Sequence, residues 1–362
     1  MELSRRRFLA WSAAGLAAAR TGLAQARKVD WHDVRSWGVE GKGWADTARF
    51  YDRLPAKAEK AVRAPVWSLS RHSAGMLARF ETDATEIYAR HSLLSASLAL
   101  PHMPATGVSG LDLYARDAEG RDRWLAVTKP AEQRMELKVA SGIDPGRRLY
   151  TVYLPLYNGT ESLEIGVPAG AAFAPVPPRK ERPIVFYGTS IMHGACASRP
   201  GMAIPAIVGR RLGRPTINLG FSGNGRMEPE VAELLAELDP CAYAVDCLPN
   251  MDATAVAERA APLVRTLRKA RPATPILLVE DRSFTSAAFL KARREHHAVS
   301  RAALRKAHAE LLAEGVKGLA TLEGEGLLGD DGEAATDGSH PSDLGMARYA
   351  DAYEKALRPL IA

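Results

Sequence analysis

The sequence predicts an α/β protein in two parts: an all-β sandwich followed by a three-layer α/β/α domain on a parallel sheet. Three observations predict it. Between residues 66 and 167, short apolar runs alternate at period two and are parted by turn residues. From residue 184 onwards, apolar runs alternate with stretches of helical period, the pattern of a parallel sheet covered on both faces. Between these regions, Gly170 to Pro183 holds Pro175, Pro177, Pro178 and Pro183 beside the charged stretch Arg179-Lys180-Glu181-Arg182. Proline serves neither a helix interior nor a central strand, so this segment reads as a semi-rigid boundary. The expected units are 27–168 for the sandwich, 169–183 for the linker and 184–362 for the α/β domain.

At 362 residues the chain is long enough for two full cores. Its first residues form a separate element. Ser4-Arg5-Arg6-Arg7-Phe8-Leu9 matches a twin-arginine export signal, followed by a small-residue apolar stretch and the A-x-A site Ala24-Gln25-Ala26. The stretch is short and interrupted by Arg20, which argues against a permanent span. Removing residues 1–26 takes away four arginines and one glutamate, so a net charge of +6 becomes +3. That is too mild to argue for nucleic acid or an anionic membrane. The expected location is the periplasm or the exterior.

In the sandwich, Leu163, Ile165 and Val167 alternate with Ser162, Glu164 and Gly166, and Tyr150, Val152 and Leu154 alternate with Leu149, Thr151 and Tyr153. Further strands are read at 75–80, 94–100 and 110–115. In the second part, strands at Ile184–Tyr187, Thr216–Leu219, Tyr243–Cys247, Pro275–Glu280 and Lys317–Leu322 alternate with helices at 202–212, 228–238, 254–270, 290–313 and 342–359. Ligands of such sheets bind beyond the carboxyl ends of the strands. Ser190, Gly223 and Asn250 each lie a few residues past a strand, so they can meet at one edge.

Those residues carry a chemistry. A serine becomes a nucleophile when a base takes its proton, and a histidine is a better base when a carboxylate orients it. Asp337-Gly338-Ser339-His340 places both in one polar loop before the last helix, where a local turn lets Asp337 reach Nδ1 of His340. The backbone of Ser190 and Gly223 and the amide of Asn250 can supply oxyanion donors. Other roles remain open for single residues: a turn with positive φ at Gly223, a helix cap at Asn250. His193 is a rival base, ranked as pocket lining because no carboxylate stands near it in sequence. Ser190 is not on the nucleophile elbow of α/β-hydrolases, since Met192 stands where that motif needs glycine. Asp246, Glu228 and Glu280 read as structural hydrogen bonders. Cys241 and Cys247 flank a strand of about 20 Å, too far for one disulfide, while Cys196 could pair with either. Metal-ligand spacing is absent, and His296-His297 reads as part of a surface helix.

Together these segments resemble the SGNH/GDSL hydrolase superfamily, in particular GDSL-like esterases with an N-terminal GxDLY domain. The resemblance rests on Gly188-Thr189-Ser190-Ile191, Asn218-Leu219-Gly220-Phe221-Ser222-Gly223, Asp246-Cys247-Leu248-Pro249-Asn250 and the signature Gly110-Leu111-Asp112-Leu113-Tyr114. Thr189 stands where the family usually has Asp, and the segment at Asn250 departs from the common Gly-x-Asn-Asp. The resemblance implies an SGNH-type sheet and a serine esterase without metal or organic cofactor. Its triad is Ser190, Asp337 and His340, and its oxyanion hole is Ser190, Gly223 and Asn250. Arrangements of this kind in carbohydrate esterases make an O-acetyl ester on a glycan the first expected substrate. The rivals are an acyltransferase, a lipid-ester or thioester hydrolase, and a glycan-binding protein with an inert hydrolase domain. The GxDLY segment is expected to be a strand signature without chemistry.

Overall fold

A computed structural model describes residues 28–361. The export signal read at Ser4 to Ala26 lies outside the described residues. The first domain contains β1 (Val29–Asp33), α1 (Ala58–Ala61), α2 (Ala64–Ser70), β2 (Leu77–Thr82), β3 (Glu86–Leu93) and α3 (Ala105–Val108). It continues through β4 (Asp112–Arg116), β5 (Asp122–Val127), β6 (Arg134–Ser141), β7 (Arg148–Tyr153), β8 (Thr160–Pro168) and β9 (Phe173–Val176). These strands form two antiparallel sheets, ordered β1-β8-β3-β6 and β5-β4-β7-β2-β9. Phe80, Ile87, Ala89, Tyr150, Val152, Leu163 and Ile165 fill the space between them.

Two expectations are corrected here. The run 94–100 is a loop, and the strand lies just before it, in β3. Residues 173–176, read as linker, form β9 on the edge of its sheet. Pro175 is tolerated there because an edge strand has one side with no ladder to feed.

The second domain holds β10 (Ile184–Gly188), α4 (Ser190–His193), α5 (Ile204–Leu212), β11 (Thr216–Gly220), α6 (Pro229–Glu237) and β12 (Ala242–Asp246). Then come α7 (Ala253–Ala270), β13 (Ile276–Val279), α8 (Lys291–Ala313), β14 (Leu319–Leu322) and α9 (Asp343–Leu357). The sheet order is β11-β10-β12-β13-β14, all parallel. Every residue of β10, β11, β12 and β13 is buried, which is why these strands are mostly apolar and lack a polar face. Alternate residues serve opposite layers. Val185, Tyr187, Ile217, Tyr243 and Val245 pack towards α6, α7 and α8, whereas Ile184, Phe186, Ala242 and Ala244 pack towards α5 and α9.

The first domain does not end at its own sandwich. Leu54, Ala58, Val62 and Val66 are buried in the core beneath the parallel sheet. Beside them Arg53 is almost wholly enclosed. Its guanidinium donates to the carbonyls of His72 (2.9 Å), Leu69 (2.6 Å), Asn218 (3.0 Å) and Gly220 (2.8 Å), so it ties the first domain to the end of β11. A buried cation is tolerable only when its donors are satisfied in this way.

Asp112, the acid of the GxDLY segment, makes a second tie. Its Oδ2 accepts from the N–H of Gly201 (2.7 Å) and Nη1 of Arg199 (2.8 Å), and its Oδ1 accepts from Nε1 of Trp124 (3.0 Å). The hydroxyl of Tyr114 lies 2.6 Å from the same Arg199 nitrogen. The signature thus begins a strand, as expected, and also fastens it to the second domain.

Candidate active site

The register of the parallel sheet decides where the predicted residues meet. Gly188 pairs with Gly220 on one side and with Asp246 on the other. Ser190, Gly223 and Asn250 lie two, three and four residues beyond those partners, so all three emerge from adjacent strands at the carboxyl edge. Ser190 is the first residue of α4, and Thr189 caps that helix through Oγ1, 3.3 Å from the N–H of Ile191. At this position the N–H of Ser190 has no acceptor within the helix and is free for a ligand.

The turn after β11 comes close to the end of β10. Phe221 N–H donates to Gly188 O at 2.9 Å, and the N–H groups of Asn224 and Gly225 donate to Phe221 O at 2.8 and 2.9 Å. Gly225 is required: a Cβ there would sit 1.9 Å from Gly188 O. Gly223 has φ +68°, and a Cβ on it would meet no atom within 4 Å, so this glycine serves the backbone turn and faces open space. Asn250 Nδ2 donates to Gly225 O at 3.3 Å, which brings the third predicted donor against the same turn. Asn250 is not a helix cap. Asp252 caps α7, its Oδ1 lying 2.8 Å from the N–H of Ala255.

Ser190 Oγ lies 2.8 Å from Nε2 of His340, and Nδ1 of His340 lies 2.7 Å from Oδ2 of Asp337. With Nδ1–H donating to the carboxylate, Nε2 is the acceptor facing the serine hydroxyl. Asp337 also closes an Asx-type turn, its Oδ1 accepting from the N–H of Ser339 (3.0 Å) and of His340 (2.8 Å). Burial works against its charge, but the N–H groups and the His340 ring prevail and hold its carboxyl down at about 2. It is therefore an anion at neutral pH.

The loop itself is braced from outside. Buried Arg282 donates through Nε to Ser339 O at 3.2 Å and through Nη2 to Ser339 Oγ, and Thr285 N–H donates to Gly338 O at 3.0 Å. Asp343, the first residue of α9, accepts from the N–H (2.9 Å) and hydroxyl (2.5 Å) of Ser198. Arg282 and Asp343 carry no motif in the sequence and become meaningful only through these contacts.

His193 does not line a pocket. It is fully buried, stacked on Tyr157 with ring centroids 4.1 Å apart, and burial with Arg53 and His72 nearby pushes it far below an ordinary imidazole. His297 is likewise buried rather than at the surface. Its Nε2 accepts from Phe284 N–H (3.0 Å), so Nδ1–H donates to Asp281 (3.0 Å).

Asp246, Glu228 and Glu280 are structural, as read. Asp246 receives the hydroxyls of Tyr349 (3.0 Å) and Tyr353 (2.9 Å) from α9, and burial pushes its carboxyl up to about 7 against those bonds. Glu228 accepts from Tyr187 (2.7 Å), and Glu280 from Arg305 and from Gly324 N–H (3.1 Å). The three cysteines are free.

The sandwich contributes to this region. Tyr157 Oη lies 3.3 Å from Ser190 O, and Met103 and Val108 pack on Ala195 and Cys196. His102 brings its ring centroid to 5.8 Å from that of His340. Sequence spacing gave no metal-ligand pattern, yet the fold gathers one donor each from His102, Cys196 and His340 within 4.8 Å of one another.

Comparison with known proteins agrees with this architecture. Residues 181–358 match the GDSL-like lipase/acylhydrolase family, and residues 29–173 match the GxDLY N-terminal domain of SGNH-hydrolase-type esterases. A GDSL-like lipase structure from Bacteroides ovatus is 32% identical, with 92% of this chain and 98% of that chain covered and a TM-score of 0.88. A salicylyl-acyltransferase from a tetracycline biosynthetic pathway shares the fold at 18% identity, with 93% and 98% covered and a TM-score of 0.71. A family two carbohydrate esterase from Cellvibrio japonicus does so at 11% identity, with 92% and 98% covered and a TM-score of 0.61. No protein of curated function matches the chain. With the family match over the hydrolase half, the GxDLY match before it and a full-length relative above 30% identity, the chain belongs to the GDSL-like lipase/acylhydrolase family.

Proposed function

We propose that the protein is an exported serine esterase that removes short acyl groups, O-acetyl first among them, from a carbohydrate. The observation that carries the reaction is the continuous line Ser190 Oγ, His340 Nε2, His340 Nδ1, Asp337 Oδ2, with links of 2.8 and 2.7 Å. His340 takes the Ser190 proton as Oγ attacks the ester carbonyl. The oxyanion is received by the N–H groups of Ser190 and Gly223 and by Nδ2 of Asn250. His340 then gives the proton to the leaving alcohol. A water activated by the same imidazole cleaves the acyl-enzyme and returns the proton to Ser190. The residues named suffice for each step, and Asp337 stabilises the imidazolium formed on the way.

The short acyl group is supported by the confinement of the nucleophile: Ser190 is buried at 7% exposure, beside His340 and Asp337 at 24% and 41%. The fold shared with carbohydrate esterases makes an acetylated glycan the class to test first. The purified mature protein is expected to cleave p-nitrophenyl acetate far faster than the octanoate, and to release acetate from acetylated glycans. Preference for octanoate would replace this reading with a lipid esterase. Release of acetate only to an added acceptor alcohol would replace it with an acyltransferase.

Export is supported by the twin-arginine pattern and cleavage site at Ser4 to Ala26. Among the described residues no helix is long and apolar enough to cross a membrane. Arg5→Lys with Arg6→Lys should hold the protein in the cytoplasm. Normal periplasmic yield of that double variant would sink the export reading.

A further inference from the structure

We propose that His102, Cys196 and His340 form a zinc site that switches the enzyme off. The three residues come from distant parts of the chain. His102 lies on the loop between β3 and α3 of the sandwich, Cys196 follows α4, and His340 belongs to the loop before α9. Each offers one donor atom, and the three atoms lie within 4.8 Å of one another. Two imidazoles and one thiolate are a donor set suited to Zn²⁺, and three protein ligands leave the fourth position to water. Bonds of about 2.0–2.3 Å in a tetrahedron put such donors about 3.3–3.8 Å apart. The remaining contraction falls mainly on His102, whose side chain is exposed and whose ring already lies beside that of His340.

Cys196 is placed for the role by its backbone. It has φ +67°, a left-handed conformation rare for a residue with a Cβ, and its Sγ lies 3.5 Å from the carbonyl oxygen of His102. On binding, Sγ–H gives its proton to solvent and the thiolate takes the metal, so charge and atoms balance with no redox partner.

Inhibition follows whichever nitrogen of His340 is taken. Nε2 receives the Ser190 hydroxyl and Nδ1 is held by Asp337, so neither is spare. Metal on Nε2 removes the base, and metal on Nδ1 separates the imidazole from its carboxylate. Binding depends on the three donors alone; the loss of turnover rests on the esterase reading.

The test separates the two. Metal-free full-length mature protein and its Ser190→Ala variant are titrated with Zn²⁺ by calorimetry and with Co²⁺ by visible absorption. Both should bind one equivalent, with Co²⁺ giving thiolate charge-transfer and tetrahedral ligand-field bands. Binding by Ser190→Ala requires no turnover, so it stands or falls independently of the esterase. Zn²⁺ should inhibit the wild type reversibly, with activity restored by EDTA. H102A and C196S should keep their ester hydrolysis and bind Zn²⁺ at least about 10–100-fold more weakly, the loss known even for outer-shell partners. Absence of one-equivalent binding by the wild type, absence of the thiolate band, or unchanged affinity in both folded variants would overturn the proposal. Binding without inhibition would keep the site and remove the switch.

Discussion

Ser190→Ala or His340→Ala should each lower kcat by about 10⁶-fold on a short acyl ester, and the double variant should be scarcely slower than either. The hydroxyl and the imidazole are 2.8 Å apart, and in the proposed reaction neither acts without the other. Once one is gone, little remains for the second deletion to remove. Asp337→Ala should cost less, about 10⁴-fold, because the carboxylate orients His340 and stabilises its charged form without touching substrate. The measurement is kcat for the four variants, each checked for folding by circular dichroism. Additive losses in the double variant would mean that Ser190 and His340 act independently. Full activity of Ser190→Ala would remove the site assignment altogether.

The second large effect is expected at Asn250. Asn250→Ala should lower kcat by about 10²–10³ with KM little changed, the size known for removal of one oxyanion donor. Asn250→Asp should be no better, since it deletes the N–H and sets a negative charge beside a developing one. Because Asp252 caps α7, neither change should unravel that helix. The contact to Gly225 O is long at 3.3 Å and half-buried, so its loss should cost only about 1 kcal/mol of stability. The check is steady-state kinetics beside thermal melting. Wild-type kcat in a stable Asn250→Ala would assign the oxyanion to Ser190 and Gly223 alone.

The hydrolase half was largely legible in the sequence. Its strands β10 to β13 are buried on both faces, so Ile184 to Gly188 or Ile276 to Val279 can hardly be anything else, and Ser190, Gly223 and Asn250 follow β10, β11 and β12 within a few residues. The sandwich was less legible. In β3 and β6 the outward positions carry Glu86, Arg90, Glu136 and Lys138, which pair across the strands at 2.8 Å (Arg90–Glu136 and Lys138–Glu86), while His91 occupies an inward position. Only strand pairing reveals that such a mixed run is a strand, and the more apolar neighbour 94–100 drew the assignment instead. What the sequence withheld about the site is mostly contact between domains or between loops. Arg282 under Ser339, Asp112 under Gly201 and His102 beside His340 have no local pattern, because each depends on where a distant segment comes to rest. Asp112 of the GxDLY segment is the one such residue that lies in a recognisable motif, and its period-two setting points to a strand without pointing to Gly201.

The burial of Leu54, Val62 and Val66 beneath the parallel sheet has a consequence for what counts as a unit of this molecule. The ribosome makes these side chains first, and the sheet they cover last, so the earlier half of the chain holds in reserve a piece of the later half's interior. At about 1.5–3 kcal/mol for each side chain, their burial is worth roughly 5–9 kcal/mol. That is comparable to the whole margin by which an ordinary domain stays folded, about 5–15 kcal/mol. Cutting at Pro183 would separate two topologies neatly on paper. In water it would leave the severed hydrolase with a bare apolar patch and with the carbonyls of Asn218 and Gly220 stripped of Arg53. The chain has two architectures but one shared interior, so a second half cut at Pro183 should melt at a lower temperature than the whole.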